Sequence, residues 1–216
     1  MNKLNTSHLY GGYPVNTNGE EEQRLDTDIL EAQKLRFEEM TNRYSQCLLI
    51  RFDLHIPKDT PINPLEENKL VSRFFNELIH KCLKRGFGGR EKHKYAAYFW
   101  VREINKAKNA HYHCWIMVDR HKIKFAGMYK DRSGLAGKII EIWKRLSGGG
   151  HIQPPETNQG GLNVRQEYPD EANEAFYAIS YLAKRRGKNY SKEKDERNWA
   201  GNTLGKIPPR KIKLAS

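Results

Sequence analysis

Two stretches, residues 95–104 and 111–119, constrain the fold most. The first is rich in aromatic residues. The second alternates as His111-Tyr112-His113-Cys114-Trp115-Ile116-Met117-Val118-Asp119, and only the polar stretch 105–110 divides the two. Extended runs joined by so short a link pair as an antiparallel hairpin. Successive strand side chains point to opposite faces. Tyr112, Cys114, Ile116 and Val118 therefore form the set that faces a core, and His111 and His113 point together to the other side. With the turn centred on Ala107, Glu103 lies opposite His111. Directly opposed residues have Cβ atoms about 4.5–5.5 Å apart. Two imidazoles and one carboxylate then converge on one divalent cation, with positions left for water or phosphate. A slip of one residue would turn Glu103 away. A structural zinc site is disfavoured, because no cysteine is spaced to complete it.

The rest of the chain supplies a layer for this hairpin. Residues 47–56 form an apolar run that Pro57 ends, a largely buried strand. Leu70, Phe74, Leu78 and Ile79 fall at helical spacing within 65–84, ahead of Gly86, Gly88 and Gly89. A second helix spans 134–146, with Leu135, Ile139, Ile142 and Trp143 on one side. The stretch 152–161 reads as a loop, 162–166 as a short fourth strand and 171–186 as a third helix. The order β-α-β-β-α-β-α predicts an α+β fold, one antiparallel sheet with helices packed on one face in the ferredoxin or RNA-recognition manner. Its other face is then open for a site. Residues 1–45 read as an N-terminal arm with a possible surface helix, 46–190 as the domain, and 191–216 as a basic tail. Within that last region, Trp199 and Leu204 suggest local docking.

On the predicted third helix, Tyr177, Tyr181 and Lys184 stand at i, i+4 and i+7, so they share a face. A phenol is a poor nucleophile at neutral pH. A cation beside it stabilises phenolate, or the charge that develops on a phosphate under attack. Packing at a helix surface is the plain alternative for such an aromatic pair.

The formal net charge is +12, which favours an anionic partner. Arg85, Arg90, Lys92 and Lys94 precede the second strand; Arg185, Arg186 and Lys188 follow the tyrosines. Both groups suit phosphate tracking along DNA. Cys47, Cys82 and Cys114 are odd in number and far apart, as buried free thiols of a reducing compartment are. No apolar stretch suits a membrane span or a secretory signal, so no membrane partner and a cytoplasmic location are expected. Gly86-Phe87-Gly88-Gly89 lacks the ending of a Walker A loop, so no ATPase or helicase module is expected.

Together these features resemble the HUH endonucleases, named for the histidine–hydrophobic–histidine strand. His111-Tyr112-His113 looks like their metal strand, and Glu103 matches the carboxylate ligand of the superfamily's replication initiators. Tyr177-Ala-Ile-Ser-Tyr181-Leu-Ala-Lys184 looks like the two-tyrosine motif of phage initiators. Residues 49–57, with Asp53 and His55, sit where their first motif lies. Over residues 46–190 the chain resembles the inovirus-type replication proteins of phages and prophages. The resemblance implies a rolling-circle initiator in a bacterial host. It would use Mg²⁺ or Mn²⁺ and nick single-stranded or hairpin origin DNA through a 5′-phosphotyrosine, leaving a free 3′-hydroxyl. Tyr181 is the expected first nucleophile and Tyr177 its partner, with host helicase and polymerase acting alongside. Other outcomes of the same pattern are a non-catalytic DNA-binding regulator derived from such an enzyme, and a transposase- or relaxase-like strand transferase.

Overall fold

The structure, a computed structural model, describes residues 4–17, 24–86, 92–104, 110–185, 188 and 197–205. Three two-residue strands come first: β1 (Leu4–Asn5), β2 (Leu9–Tyr10) and β3 (Tyr13–Pro14). Then follow β4 (Leu25–Asp26), α1 (Thr27–Arg43), β5 (Gln46–His55) and α2 (Pro64–Asn76), which continues as a π-helical turn, Glu77–Leu83. The hairpin is β6 (Ala96–Glu103) and β7 (His111–Asp119). After it come α3 (Gly134–Leu146), β8 (His151–Gln153), β9 (Leu162–Arg165), α4 (Pro169–Ser180) with a 3₁₀ turn at Tyr181–Ala183, and β10 (Trp199–Gly201). The local chemistry of helix starts is plain at α2. Asn63 caps it, Glu66 returns the hydrogen bond, and Pro64 occupies the first turn.

The main sheet runs β10-β6-β7-β5-β8, and β9 also pairs with β5. Every pairing in it is antiparallel, so the fold is α+β around an antiparallel sheet, as the sequence predicts. The helices, however, cover both faces instead of one. Leu48, Ile50, Phe52, Cys114 and Ile116 pack with α2 and α3. Leu49, Phe99, Trp115 and Met117 pack with α1 and α4. The cause is in the strands: β5 and β7 are apolar on both sides, and such strands need a layer on each. The open face expected beneath the histidines is therefore covered over most of its length.

The same packing draws in residues on either side of 46–190. Helix α1, expected as a surface helix outside the domain, buries Ile29, Leu30, Phe37 and Met40. Asp26 caps its start by accepting from the amides of Asp28 and Ile29. The arm before it also joins the core. Val15 is buried, and the Tyr13 ring packs against Phe37 and Phe176. At the other end, β10 adds a strand beside β6 and Trp199 stacks on Phe99, which is the local docking expected there.

Two element limits also differ. His151–Gln153 is a strand paired with β5, although 152–161 reads as a loop. The helix expected to run through 186 ends at Ser180, because Lys184 turns extended and bridges to Leu25. The cysteines are free and buried, as expected. Among the described residues, no helix is long and apolar enough to cross a membrane.

Candidate metal centre

The hairpin register is the one that places the candidate ligands together. Glu103 lies directly opposite His111, and Val101 opposite His113. Interleaved residues on the reverse face pin this register. Arg102 and Tyr112 point toward α2, where the Arg102 guanidinium donates to Glu67 at 2.9 Å. The Tyr112 hydroxyl donates to Asn68 at 3.0 Å, and the Ala110 amide reaches Glu67 at 3.3 Å. A buried network thus holds the hairpin end from behind.

On the near face, ligand atoms of Glu103, His111 and His113 all lie within 4.8 Å of one another. His113 Nε2 is 2.9 Å from Glu103 Oε2 and 3.2 Å from His111 Nε2. Two nitrogens each about 2.1 Å from a shared ion stand roughly 3.0–3.4 Å apart at right or tetrahedral angles, so the spacing fits a common cation. The ring environment agrees. His113 Nδ1 meets Asp53 Oδ1 at 2.8 Å, so both ring nitrogens face carboxylate oxygens. Either His113 carries two protons there, or a cation replaces the one on Nε2 while Nδ1–H still donates to Asp53. Burial opposes the charged form of His113, yet hydrogen bonds to Asp53 and Glu103 raise its pKa. His111 moves the other way, lowered by burial and by His113. Asp53 stands in the position from which a carboxylate orients a histidine ring.

Three of the histidines form a row across the sheet. His55 lies opposite His111 on one side and His151 on the other. The rings stack nearly parallel: centroids are 5.3 Å apart for His55–His111 and 4.5 Å for His55–His151, with interplanar angles of 6° and 4°. Burial, then His151 and His111, bring His55 down to about 4. Asp53 and His55 were visible in the sequence as neighbours of a motif, but the row they create requires the β5–β7 pairing. His151 gave no signal, because its three-residue strand lies between glycines and prolines.

The tyrosine segment reaches the same place. Tyr181 ends α4, and its ring stands edge-on to His113, with centroids 5.7 Å apart at 89°. Lys184 leaves the helix, so the i, i+4, i+7 face is not kept. Its ammonium nevertheless lies 4.7 Å from the centre of the Tyr181 ring. Arg51 lies 5.5 Å from the same ring and donates to the carbonyl of Ala178 at 2.8 Å. Sequence reading missed Arg51, although it sits two residues before Asp53 on the same face. Tyr177 is half-buried one turn earlier on α4.

The basic candidates divide. Lys188 donates to the carbonyl of Lys184. Burial brings its pKa down to about 8, while the nearby charges of Glu103 and Asp26 act to raise it. Arg185 is exposed beside it, and Arg186 falls outside the described residues. Lys92 and Lys94 are exposed at the opposite end of β6, whose 8 residues span about 25 Å. Lys94 lies over the Tyr95 ring there, 5.3 Å from its centre. These two lysines are not part of the metal cluster; Arg85 is exposed near them, and Arg90 is outside the described residues.

Residues 15–198 match the family model described as the YagK/YfjJ C-terminal domain. The uncharacterized protein YfjJ of Escherichia coli (strain K12) is 24% identical over 168 residues, covering 68% of this chain and 81% of that protein. No solved structure matches.

Proposed function

We propose that this chain, which belongs to the YagK/YfjJ C-terminal domain family, is a metal-dependent tyrosine nickase. It would start rolling-circle replication from single-stranded or hairpin origin DNA in the bacterial cytoplasm. One observation carries the reading: the Tyr181 ring meets His113 of the Glu103–His111–His113 cluster. A nucleophile type and a candidate Lewis-acid site thus share one small volume.

In this reading Glu103, His111 and His113 hold Mg²⁺ or Mn²⁺. The bound ion supplies polarisation of the scissile phosphate. Tyr181 Oη attacks phosphorus and gives up its proton; the bond from phosphorus to the 3′-oxygen breaks, and that oxygen leaves as a hydroxyl. The 5′-phosphate stays on the tyrosine until a 3′-hydroxyl reverses the step or Tyr177 takes the next strand. Lys184 and Arg51 bring positive charge to the Tyr181 ring, which favours the negative charge of the transition state. Arg185, Arg186 and Lys188 would guide the phosphates leaving the site, and Lys92 and Lys94 a more distant part of the DNA. Host helicase and polymerase would open and extend the strand.

The test is a denaturation-resistant protein–DNA adduct, formed with single strands of the protein's own replicon and Mn²⁺ or Mg²⁺. Wild-type protein yields it, Tyr181→Phe abolishes it, and Tyr177→Phe keeps the first nick but loses the second transfer. If neither ion gives an adduct on any strand of that replicon, the enzyme reading falls and a DNA-binding regulator takes its place.

A further inference from the structure

We infer that His151 is a stacking platform for a nucleobase of the bound single strand, set beside the metal centre at the solvent end of the imidazole row. The inference rests on the single-stranded DNA reading above, but it concerns base recognition and not the cleavage step.

The row begins at Glu103 and passes through His111 and His55 to His151, one residue from each of four adjacent strands. Its inner members are half-buried, while His151 is exposed. The stack therefore ends on an aromatic face turned to solvent. The surrounding chain fixes the backbone that carries that ring. Trp143 Nε1 donates to the carbonyl of His55 at 3.0 Å. Ser147 Oγ donates to the carbonyl of Trp143 at 2.7 Å and accepts from the amide of Gly150 at 2.8 Å. Gly150 then passes so close to β5 that a Cβ there would lie 2.4 Å from the His55 carbonyl oxygen and 2.8 Å from Trp143 Nε1. Only glycine allows this approach, and the next residue is His151. A surface imidazole is thus set parallel to His55 at 4.5 Å.

A nucleobase has the right shape and surface for this position. It is flat, its faces are apolar, and every base offers such a face, so stacking tolerates any sequence. The net charge of +12 favours a polyanion that carries bases over an uncharged aromatic ligand. A strand with its phosphate at Glu103, His111 and His113 would continue along the row and place a nearby base on the outer face of His151.

The experiment compares full-length protein binding to two single strands, one a mixed-sequence DNA oligonucleotide and the other its abasic counterpart with the same phosphates. Anisotropy is read with Mn²⁺ and with a chelator. Wild type prefers the base-bearing strand. His151→Ala weakens that strand by roughly 5- to 150-fold, the range for one base–aromatic stack, and leaves the abasic strand unchanged. His151→Phe keeps the preference, and Gly150→Ala loses it while retaining the His151 side chain. Equal binding of both strands by wild type overturns the platform, as does a His151→Ala loss shared by both strands. Failure to bind either strand overturns it together with the DNA reading. Base-dependent binding that His151→Ala removes, without any covalent adduct, supports the platform and sinks only the nickase.

Discussion

The two faces of the β6–β7 hairpin carry buried charge in opposite ways. Behind it, Arg102 and Glu67 are both nearly dry, with side chains 4% and 3% exposed, and they neutralise each other. Tyr112 and Asn68 complete the hydrogen bonding. In front, Glu103 and Asp53 bring two carboxylates to His113, while burial favours the neutral forms of His55 and His111. The rear network is a closed pair that fixes geometry. The front network sets two carboxylates against positive charge drawn from several groups, Arg51 beside Asp53 among them. Lys188 supplies part of that charge from the chain. The rear network is thus a clamp, and the front, where the Asp53 side chain is 24% exposed, is a more open cluster of carboxylates and histidines.

The largest expected effect breaks the clamp. Glu67→Ala strands Arg102 in the interior and lowers unfolding free energy by about 3–5 kcal/mol, as removal of one partner from a buried pair does. Urea denaturation measures it. Glu103→Gln, in metal-free buffer, costs less than half as much and abolishes stabilisation by Mn²⁺. Equal losses for the two variants would erase the distinction between the faces.

A middle-sized effect sharpens it. Asp53→Asn keeps the shape of the orienting group but removes its charge, and weakens Mn²⁺ binding by about 10- to 100-fold. Calorimetric titration reads the change. Unaltered affinity would mean that Asp53 does not act through His113. The smallest effect is at the far end of β6. Lys94→Ala changes stability by no more than about 0.5 kcal/mol and leaves the Mn²⁺ titration as it was; a shifted titration would tie that end of the sheet to the centre.

The hairpin register was legible because a short polar link and the alternation of His111-Tyr112-His113 leave few pairings. The convergence of Glu103, His111 and His113 followed from it. The second helical layer was also written in β5 and β7, in the odd-numbered Cys47, Leu49, Trp115 and Met117. Reading only the even-numbered β7 residues as core hid it. The end of α4 was not legible, since Leu182 and Ala183 are good helix formers. Pairing of Lys184 with Leu25 overrides that local preference, and it is what carries the lysine to the Tyr181 ring. Arg51 and His151 gained their places only through cross-strand pairing and the close packing of Gly150, which no local pattern announces.

The margins of the sheet have a separate consequence. On one side β10 offers 3 residues. On the other, β5 is shared between β9 at Gln46–Leu49 and β8 at Asp53–His55. A long bare edge invites backbone pairing with other chains. Among the described residues, each outer strand is a fragment of 3 or 4 residues. Loss of β8 would uncover the half of β5 that bears Asp53 and His55.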